Sequence, residues 1–210
     1  MSKVHLVTVA THSEGYLPIL EQQVKEKKME LKKLGWGKKY TGHSMKDMEM
    51  MNFLENEAKS EDLIIFVDGF DSMILSDEQE IVQKFKETGA KMLFSVENIS
   101  SYLSFIHSAV FEKVSGKYIN SGLYMGERDF MLNFLKNIYS SDNYNKQSNQ
   151  KNWCNQLRKL ESENKLDGIK LDVDSQIFLN HSFTTSNYPK VEDKRVVLGD
   201  VKPCFIQGNG

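Results

Sequence analysis

The feature that most constrains this chain is an uninterrupted apolar run over residues 63–67, Leu-Ile-Ile-Phe-Val, which lies between Asp62 and Asp68. A strand buried on both faces has this composition, and such strands are typical of the centre of a parallel sheet. Residues 4–10 predict an earlier strand, because apolar and polar residues alternate there and β-branched residues are frequent. Residues 29–34 could continue the first helix but favour a strand, and a further strand is predicted over residues 91–95.

Helices are predicted between these strands from apolar residues at helical spacing. Ser44 followed by Asp47 resembles a capping box, and Gly89 is placed to end the third helix. Strands that alternate with helices predict an α/β domain with a mostly parallel central sheet flanked by helices. The predicted apolar faces are Leu17, Leu20 and Val24; Met48, Met51, Leu54 and Ala58; and Ile81, Val82 and Phe85.

The second half of the chain is less regular. Short strands are predicted over 117–119 and 124–125, on either side of Asn-Ser-Gly at 120–122, and a helix is predicted from Asp129. Residues 140–152 are almost wholly polar and predict a flexible loop. A helix near 153–160, a strand over 169–171, a helix from about Asp174 and a strand over 195–198 complete the expected elements.

Composition narrows the classes of function. The 210 residues predict a single domain, and 27 Lys and Arg against 29 Asp and Glu give a net charge of −2, which disfavours a nucleic-acid binder. No apolar run is long enough to span a membrane, and the N-terminus lacks the pattern of a signal peptide. The chain as it stands is therefore expected to be cytoplasmic.

Several common catalytic and metal sites have no support in the sequence. Cys154 and Cys204 do not form a C-x-x-C pair, so neither a thiolate zinc site nor a disulfide framework is expected. The five histidines lack metal-ligand spacing, and no G-x-S-x-G, phosphate-binding Walker loop or G-x-G-x-x-G occurs. Zinc hydrolases, ATPases and dehydrogenases are therefore disfavoured.

The segment that carries most chemistry is Asp68-Gly69-Phe70-Asp71, directly after the apolar run. Ligands of parallel α/β sheets bind beyond the carboxyl ends of the strands. Two carboxylates three positions apart, with a glycine between them, can converge on a divalent cation that stabilises a departing diphosphate. A solvated turn in which one acid caps the backbone is an equal alternative on this segment alone.

Motifs in the same order resemble a GT-A glycosyltransferase, and more closely the glycosyltransferase domain of the procollagen lysyl hydroxylases, which modifies hydroxylysine in collagen. Besides the Asp-x-x-Asp segment, they are V-T-V-A-T at 7–11, F-S-V-E at 94–97, N-S-G at 120–122, a match to L-D-x-x-[SC]-x-I-F-x-N at 171–180, and Q-G-N-G at 207–210. The resemblance covers essentially the whole chain. It implies a GT-A fold, with a Rossmann-like, mostly parallel sheet in a single domain over 1–210.

The resemblance also implies roles for individual residues. Asp68, Asp71 and Gln207 would ligate Mn²⁺ or another divalent cation bridging the phosphates of a UDP-sugar. Lys46 would lie near those phosphates, although an ordinary surface lysine is an equal alternative. The expected nucleotide and sugar contacts are Thr8, Ala10, Thr11, Tyr40, Phe70, Asn120, Ser121, Gly122 and Gly208.

Candidate groups to stabilise positive charge on the sugar are Asp172, Glu97 and Asp174. Asp172 is equally well placed to cap the helix predicted near Asp174. Two departures from the family pattern bear on catalysis. Gln207 stands where the family has a histidine ligand, and residues 148–150, Ser-Asn-Gln, stand where the family has aspartates.

The function that the resemblance implies is transfer of a hexose, glucose or galactose, from a UDP-sugar to hydroxylysine or galactosyl-hydroxylysine of a collagen-like chain. The two departures keep a catalytically silent UDP-sugar-binding or interaction module open as an alternative. A transferase of the same fold that acts on another glycan acceptor is a third possibility. Family members act in the endoplasmic reticulum.

Overall fold

The computed structural model describes residues 2–97, 108, 111–140, 144–182, 188–193 and 195–209. Strands and helices alternate through the first half of the chain, as predicted. In chain order the elements are β1 (Val4–Val9), α1 (Leu17–Glu26), β2 (Leu31–Leu34), α2 (Ser44–Asn56), β3 (Leu63–Val67), β4 (Ser72–Ile74), α3 (Glu78–Thr88), β5 (Met92–Val96), β6 (Ile119–Glu127), α4 (Arg128–Ile138), α5 (Asn149–Ser162), β7 (Ile169–Asp172), β8 (Phe178–Ser182), β9 (Lys190–Glu192), β10 (Arg195–Val197) and β11 (Phe205–Asn209).

The central sheet has six strands in the order β2-β1-β3-β6-β5-β7. Strand β1 pairs in parallel with β2 and β3, and β5 pairs in parallel with β7. Strand β6 is antiparallel to both of its neighbours, β3 and β5. The predicted α/β fold with a mostly parallel central sheet is therefore confirmed, and β6 is the exception to the parallel direction.

The apolar run of β3 is buried on both faces, as its composition predicted. Ile64 and Phe66 belong to one core cluster, and Ile65 and Val67 belong to the other. The first cluster lies under α2, α4 and α5, and Trp153 is its largest fully buried side chain, with its ring 4.6 Å from that of Tyr124. The second cluster lies under α1 and α3. The sheet is thus covered by helices on both sides.

A smaller sheet brings the end of the chain back to the central one. Strand β11 pairs in parallel with β8 and antiparallel with β4, and Gln207 lies opposite Ser72 in this register. Because Ser72 directly follows Asp71, this pairing places Gln207 beside the Asp-x-x-Asp segment. Strands β9 and β10 form a separate antiparallel pair.

Two predicted elements are wrong. The two short strands expected around residues 120–122 are one continuous strand, β6, which passes through this segment: Asn120 pairs with Ser95 of β5, and a register shift between Phe94 and Ser95 takes up the residues that follow. The helix expected from Asp174 is a turn that leads into β8, and Ser175 in that turn has a positive φ of 54°. The chain therefore returns to a sheet where a helix was expected.

Helix starts also differ from expectation. Helix α2 has no side-chain cap, and Asp47, expected in a capping box, is buried inside the protein. Helix α5 begins at Asn149 rather than near residue 153, because the Ser148 hydroxyl accepts a hydrogen bond from the Lys151 N–H. The helix therefore takes in the end of the predicted 140–152 loop, of which residues 141–143 lie outside the described residues.

The described helices include none that is both long and apolar enough to cross a membrane.

Asp62 joins the start of β1 to the start of β3. Its buried carboxylate accepts hydrogen bonds from the N–H groups of Lys3 and Lys59, both at 2.9 Å, and contacts His5 Nε2 at 2.8 Å. Burial raises the pKa of Asp62, but these hydrogen bonds outweigh it and lower that pKa from 3.8 to about 2. The ionised form is therefore part of the folded structure.

We expect Asp62→Asn to lower the free energy of unfolding by about 1–2 kcal/mol at pH 7. A carboxyl whose pKa is lower in the folded chain stabilises it above the ordinary pKa of 3.8, and that stabilisation is lost as pH falls through about 2. The difference from the wild type should therefore shrink over that interval, as measured by urea unfolding at several pH values. Glu61→Gln, at an exposed neighbour, is the control, and a difference independent of pH would contradict the assignment.

Candidate functional site

A cavity of about 260 Å³ opens at the carboxyl end of β3, where β5 ends and β6 begins. Helices α2 and α5 bring their N-terminal turns to the same place. Seven of the twelve residues that line the cavity were site candidates, three more stand at positions 148–150 singled out in the sequence, and the other two are new. The lining residues are His43, Lys46, Asp68, Glu97, Phe111, Asn120, Ser121, Gly122, Ser148, Asn149, Gln150 and Gln207.

The two acids of the Asp-x-x-Asp segment lie close enough to interact. The pKa of Asp71 is raised from 3.8 to about 6. Burial is the main cause, and the negative charge of Asp68 is the second. Lys46 forms an ion pair with Asp68 at one side of the site. Gln207 Nε2 lies 3.1 Å from both carboxylate oxygens of Asp71 at the other side. The structure thus brings together both acids, the lysine and the glutamine that the sequence singled out.

Gln207 reaches this position because residue 122 is a glycine. A Cβ added at Gly122 would lie 2.3 Å from Gln207 Nε2 and 2.5 Å from Gln207 Oε1, so any side chain there would displace the amide. Gln207 is buried, and its Oε1 has no hydrogen-bond partner among the described residues. A buried carbonyl oxygen without a partner is costly unless a ligand satisfies it.

Two carboxylates and this amide oxygen fit a hard divalent cation, which prefers oxygen ligands. The described part of the chain holds no cluster of three or more His, Cys, Asp or Glu residues that could bind a metal ion. A third protein ligand at this site would therefore come from the Gln207 amide. Lys46 and Gln207 also compensate the two acids without a cation.

The Asn-Ser-Gly segment presents polar groups to the cavity and holds Glu97. Asn120 Nδ2 donates to Glu97 Oε1 at 2.7 Å, while Asn120 Oδ1 accepts from the Gly122 N–H at 2.6 Å. The Gly122 carbonyl in turn accepts from the Asp68 N–H at 2.8 Å. Backbone bonds therefore tie this segment to the acid pair, and Glu97 is the predicted catalytic acid that the structure places in the cavity.

Residues expected to contact the nucleotide lie beneath and beside the acid pair. Thr8 and Ala10 are buried, and the Thr8 hydroxyl would lie 2.8 Å from a Cβ added at Gly69. The Thr11 hydroxyl contacts His12 Nδ1 at 2.9 Å, and the His12 ring lies 5.6 Å from that of Phe70. Of the four residues expected to contact the nucleotide here, Thr11 and Phe70 are partly exposed, whereas Thr8 and Ala10 are buried.

Two more of the expected contacts lie at the rim of the site. Tyr40 is exposed, and its hydroxyl lies 2.8 Å from His43 Nδ1, a residue that lines the cavity. Burial raises the pKa of Tyr40 first, and the charges of Lys46 and Asp68 act on it in opposite directions. Gly208 donates its N–H to the Asp71 carbonyl at 2.9 Å, which fixes β11 against the acid segment.

Asp172 and Asp174, the other predicted catalytic acids, do not line the cavity. Asp172 is buried, and its carboxylate accepts from the N–H groups of Gln176, Ile177 and Phe178 at 2.9, 2.8 and 2.7 Å. It holds the turn that precedes β8, so its observed contacts are structural. Asp174 is exposed on that turn.

Sequence reasoning missed His43 and Phe111 as lining residues, and it missed the start of α5 at Asn149. His43 and Phe111 carry no signal that distinguishes them from other loop residues. Residues 148–150 were compared with the family's aspartates but expected in a loop. Ser148 before the helical spacing of Trp153 and Leu157 was the available sign of an earlier helix start.

Comparison with known proteins gives a consistent result for the whole chain. The sequence model of a family described as "PLOD GT domain" matches residues 1–210. A procollagen-lysine,2-oxoglutarate 5-dioxygenase of Drosophila melanogaster is 29% identical over 227 residues, which cover 99% of this chain and 30% of that protein. The human multifunctional procollagen lysine hydroxylase and glycosyltransferase LH3 is 25% identical over 224 residues, again 99% of this chain and 30% of that protein.

The chain therefore spans about a third of the length of these curated relatives. Among solved structures, a galactosyltransferase LgtC in complex with donor and acceptor sugar analogues matches with a TM-score of 0.46 and 12% identity, over 84% of this chain and 75% of that one.

We expect Asp172→Ala to lower the free energy of unfolding by about 2–4 kcal/mol, because three backbone N–H groups, two of them buried, lose a charged acceptor. Asp174→Ala is the matched control, and its effect should stay within about 0.5 kcal/mol because the side chain is exposed. Urea unfolding of both variants measures the difference. Wild-type stability in Asp172→Ala would contradict the structural role and return Asp172 to the candidate catalytic groups.

Proposed function

The chain belongs to the PLOD GT domain family, where GT stands for glycosyltransferase, and we propose that it transfers a hexose, glucose or galactose, from a UDP-sugar. The observation that carries this proposal is a cavity lined by Asp68, Lys46 and Gln207, with Asp71 accepting hydrogen bonds from Gln207 beside it. Carboxylates alone would repel a diphosphate, so its binding here requires positive charge. Among the described residues, the site has one resident cation, Lys46, and oxygen ligands for a second.

Asp68, Asp71 and the Gln207 amide oxygen would hold Mn²⁺ or another divalent cation. When bound, such a cation neutralises charge that develops on a departing diphosphate. An amide oxygen in place of imidazole favours harder cations such as Mg²⁺ more than a histidine would. The Gln207 amide lies beside Asp71, and its rotation would replace the Nε2 that now faces the carboxylate by Oε1. Among the described residues Oε1 has no hydrogen-bond partner, so no existing hydrogen bond of this oxygen opposes the change.

Lys46 supplies charge that is fixed in place. Burial acts to lower its pKa, but the charge and hydrogen bond of Asp68 more than offset this, and the pKa is raised overall. The ammonium group therefore stays protonated at neutral pH. It forms an ion pair with Asp68 at the cavity and would bind a phosphate oxygen of the nucleotide.

Glu97 is the group we propose to stabilise positive charge on the transferred sugar. It lines the cavity, and Asn120 holds its carboxylate by a hydrogen bond of 2.7 Å. The contacts of Asp172 and the position of Asp174 favour Glu97 over them. Gly122 contributes to the site by leaving room for the Gln207 amide.

The nucleotide base would lie on the β1 side of the acid pair. Tyr40 and Phe70 are the aromatic side chains there that are available for stacking on uracil. Thr11 contacts His12, whose ring packs near that of Phe70, so Thr11 would line the same region. Thr8 and Ala10 are buried beneath it.

The proposed acceptor is hydroxylysine or galactosyl-hydroxylysine of a collagen-like chain. This rests on family membership and on the human relative, whose name joins procollagen lysine hydroxylase with glycosyltransferase. A transferase of the same family with another glycan acceptor differs from it in substrate alone, so the acceptor needs its own test.

A catalytically silent UDP-sugar-binding module is the second candidate. One observation favours it: Lys46 and Gln207 already compensate Asp68 and Asp71, so the acids are satisfied without a cation. Residues 148–150, which line the cavity, also contribute no acidic side chain.

We expect UDP release from UDP-glucose or UDP-galactose to require a divalent cation and to fall at least about 100-fold in Asp68→Asn and Asp71→Asn. Each change removes a charged ligand while keeping the side-chain size. Asp200→Asn, at an exposed turn, is the control and should retain wild-type turnover. Tight UDP binding with no turnover in the wild type would instead establish the silent module.

The acceptor is tested with collagen peptides that carry lysine, hydroxylysine or galactosyl-hydroxylysine. We expect faster UDP release with one of the two hydroxylysine peptides and none above background with the lysine peptide, because the transferred sugar needs a hydroxyl nucleophile. Mass spectrometry should show addition of one hexose. Turnover of UDP-sugar that no peptide stimulates would contradict the collagen acceptor but not the transferase.

A further inference from the structure

Another buried acid lies just behind the cavity. Asp47, on α2, has no exposed surface. Its Oδ2 accepts hydrogen bonds from the Tyr139 hydroxyl at 2.5 Å and from Trp153 Nε1 at 2.7 Å, and its Oδ1 accepts from Asn149 Nδ2 at 3.2 Å. Nothing in the proposed mechanism uses this carboxylate, although one of its partners, Asn149, lines the cavity.

The carboxylate fixes which way the Asn149 amide points. An ionised carboxylate only accepts hydrogen bonds, so the NH₂ group of Asn149 must face Asp47. The opposite orientation would place the Asn149 carbonyl 3.2 Å from Asp47 Oδ1, where two oxygens repel each other. The carbonyl of Asn149 therefore faces the other way, and it accepts from Ser121 Oγ at 3.2 Å and from the Gln150 N–H at 3.0 Å.

The orientation of Asn149 decides in turn what Ser121 offers to a ligand. A serine hydroxyl has one proton to donate and two lone pairs that accept. Ser121 gives its proton to Asn149 Oδ1 and lines the cavity, so its remaining capacity there is as an acceptor. A partner of complementary chemistry is a group that donates, such as a sugar hydroxyl.

We propose that Asp47 is a positioning residue which, through Asn149, makes the Ser121 oxygen an acceptor for a hydroxyl group of the bound hexose. This inference rests on the proposed function and adds a determinant of donor specificity. The determinant is a chain of hydrogen bonds, called the route below, that runs from Asp47 on α2 through Asn149 on α5 to Ser121 on β6. The uridine diphosphate part of the donor takes no part in it.

The test measures dissociation constants for UDP, the UDP-hexose and its series of deoxyfluoro analogues, with the divalent cation held constant. A fluorine in place of a hydroxyl cannot donate a hydrogen bond. We expect the wild type to bind one analogue about five- to tenfold more weakly than the parent sugar, as for the loss of one hydrogen bond. We call this difference in affinity between the analogue and the parent sugar the gap. Ser121→Ala should close the gap and leave the affinity for UDP unchanged.

Asp47→Asn tests the remote end of the route with a side chain of the same size. It removes the pure acceptor that orients Asn149, so the gap should close while UDP affinity is retained. Tyr139→Phe is the matched control, because it removes another donor from the same carboxylate without touching Asn149. Its gap should equal that of the wild type, which a merely structural role of Asp47 would not predict.

If Asp47→Asn does not fold, as judged by near-ultraviolet circular dichroism, Asn149→Ala tests the same step without altering the buried acid. It frees the Ser121 hydroxyl to rotate and so should narrow the gap without closing it. A gap of wild-type size in Ser121→Ala, or in either folded variant at Asp47 or Asn149, would overturn the inference. So would equal binding of every analogue by the wild type. Failure of the wild type to bind UDP and UDP-hexose at all would instead overturn the proposed function.

Discussion

The site depends on how two acids are kept together in a partly desolvated place at the end of β3. Like charges at short range repel, and burial makes each ionised carboxylate more costly. Lys46 from α2 compensates Asp68, and Gln207 from β11 donates to Asp71. These partners come from opposite ends of the chain, so the central sheet, α2 and the small sheet must all form before the acid pair is stable. The acid pair is therefore stable only in the complete fold.

Buried acids elsewhere in the protein show how the same group serves different ends. Asp62 accepts two backbone N–H groups and contacts His5, and its pKa falls to about 2. Asp47 accepts only from neutral side chains and is fully buried, and burial raises its pKa to about 6 despite these bonds. Asp62 is therefore suited to holding strands together at any physiological pH. Ionisation of Asp47 at neutral pH costs more free energy than ionisation of Asp62, because its pKa is higher. This fits a group whose role is to orient Asn149 rather than to stabilise the fold.

Sequence alone predicted the parts of the structure that depend on local pattern. The apolar run of β3, the alternation of β1 and the glycine that ends α3 are local signals, and the sheet core and Asp68–Asp71 followed from them. Asp172 could not be resolved in this way. A cap for a helix and an acceptor for a turn look alike in sequence, and the positive φ of Ser175 that makes the turn has no residue signature. The role of Asp47 was also hidden, because its partners Tyr139, Asn149 and Trp153 are about a hundred residues away along the chain.

The acid pair has a thermodynamic consequence that links the fold to ligand binding. The pKa of Asp71 is raised to about 6, so the folded chain binds this proton more tightly than the unfolded chain does. Stability contributed by that proton is present below the ordinary pKa of 3.8 and is lost as pH rises through about 6. At neutral pH the ionised pair therefore works against folding, and any ligand that places positive charge between Asp68 and Asp71 offsets this by binding the folded chain alone. Lys46 and Gln207 offset part of the repulsion in advance, and the buried Gln207 Oε1 has no hydrogen-bond partner among the described residues.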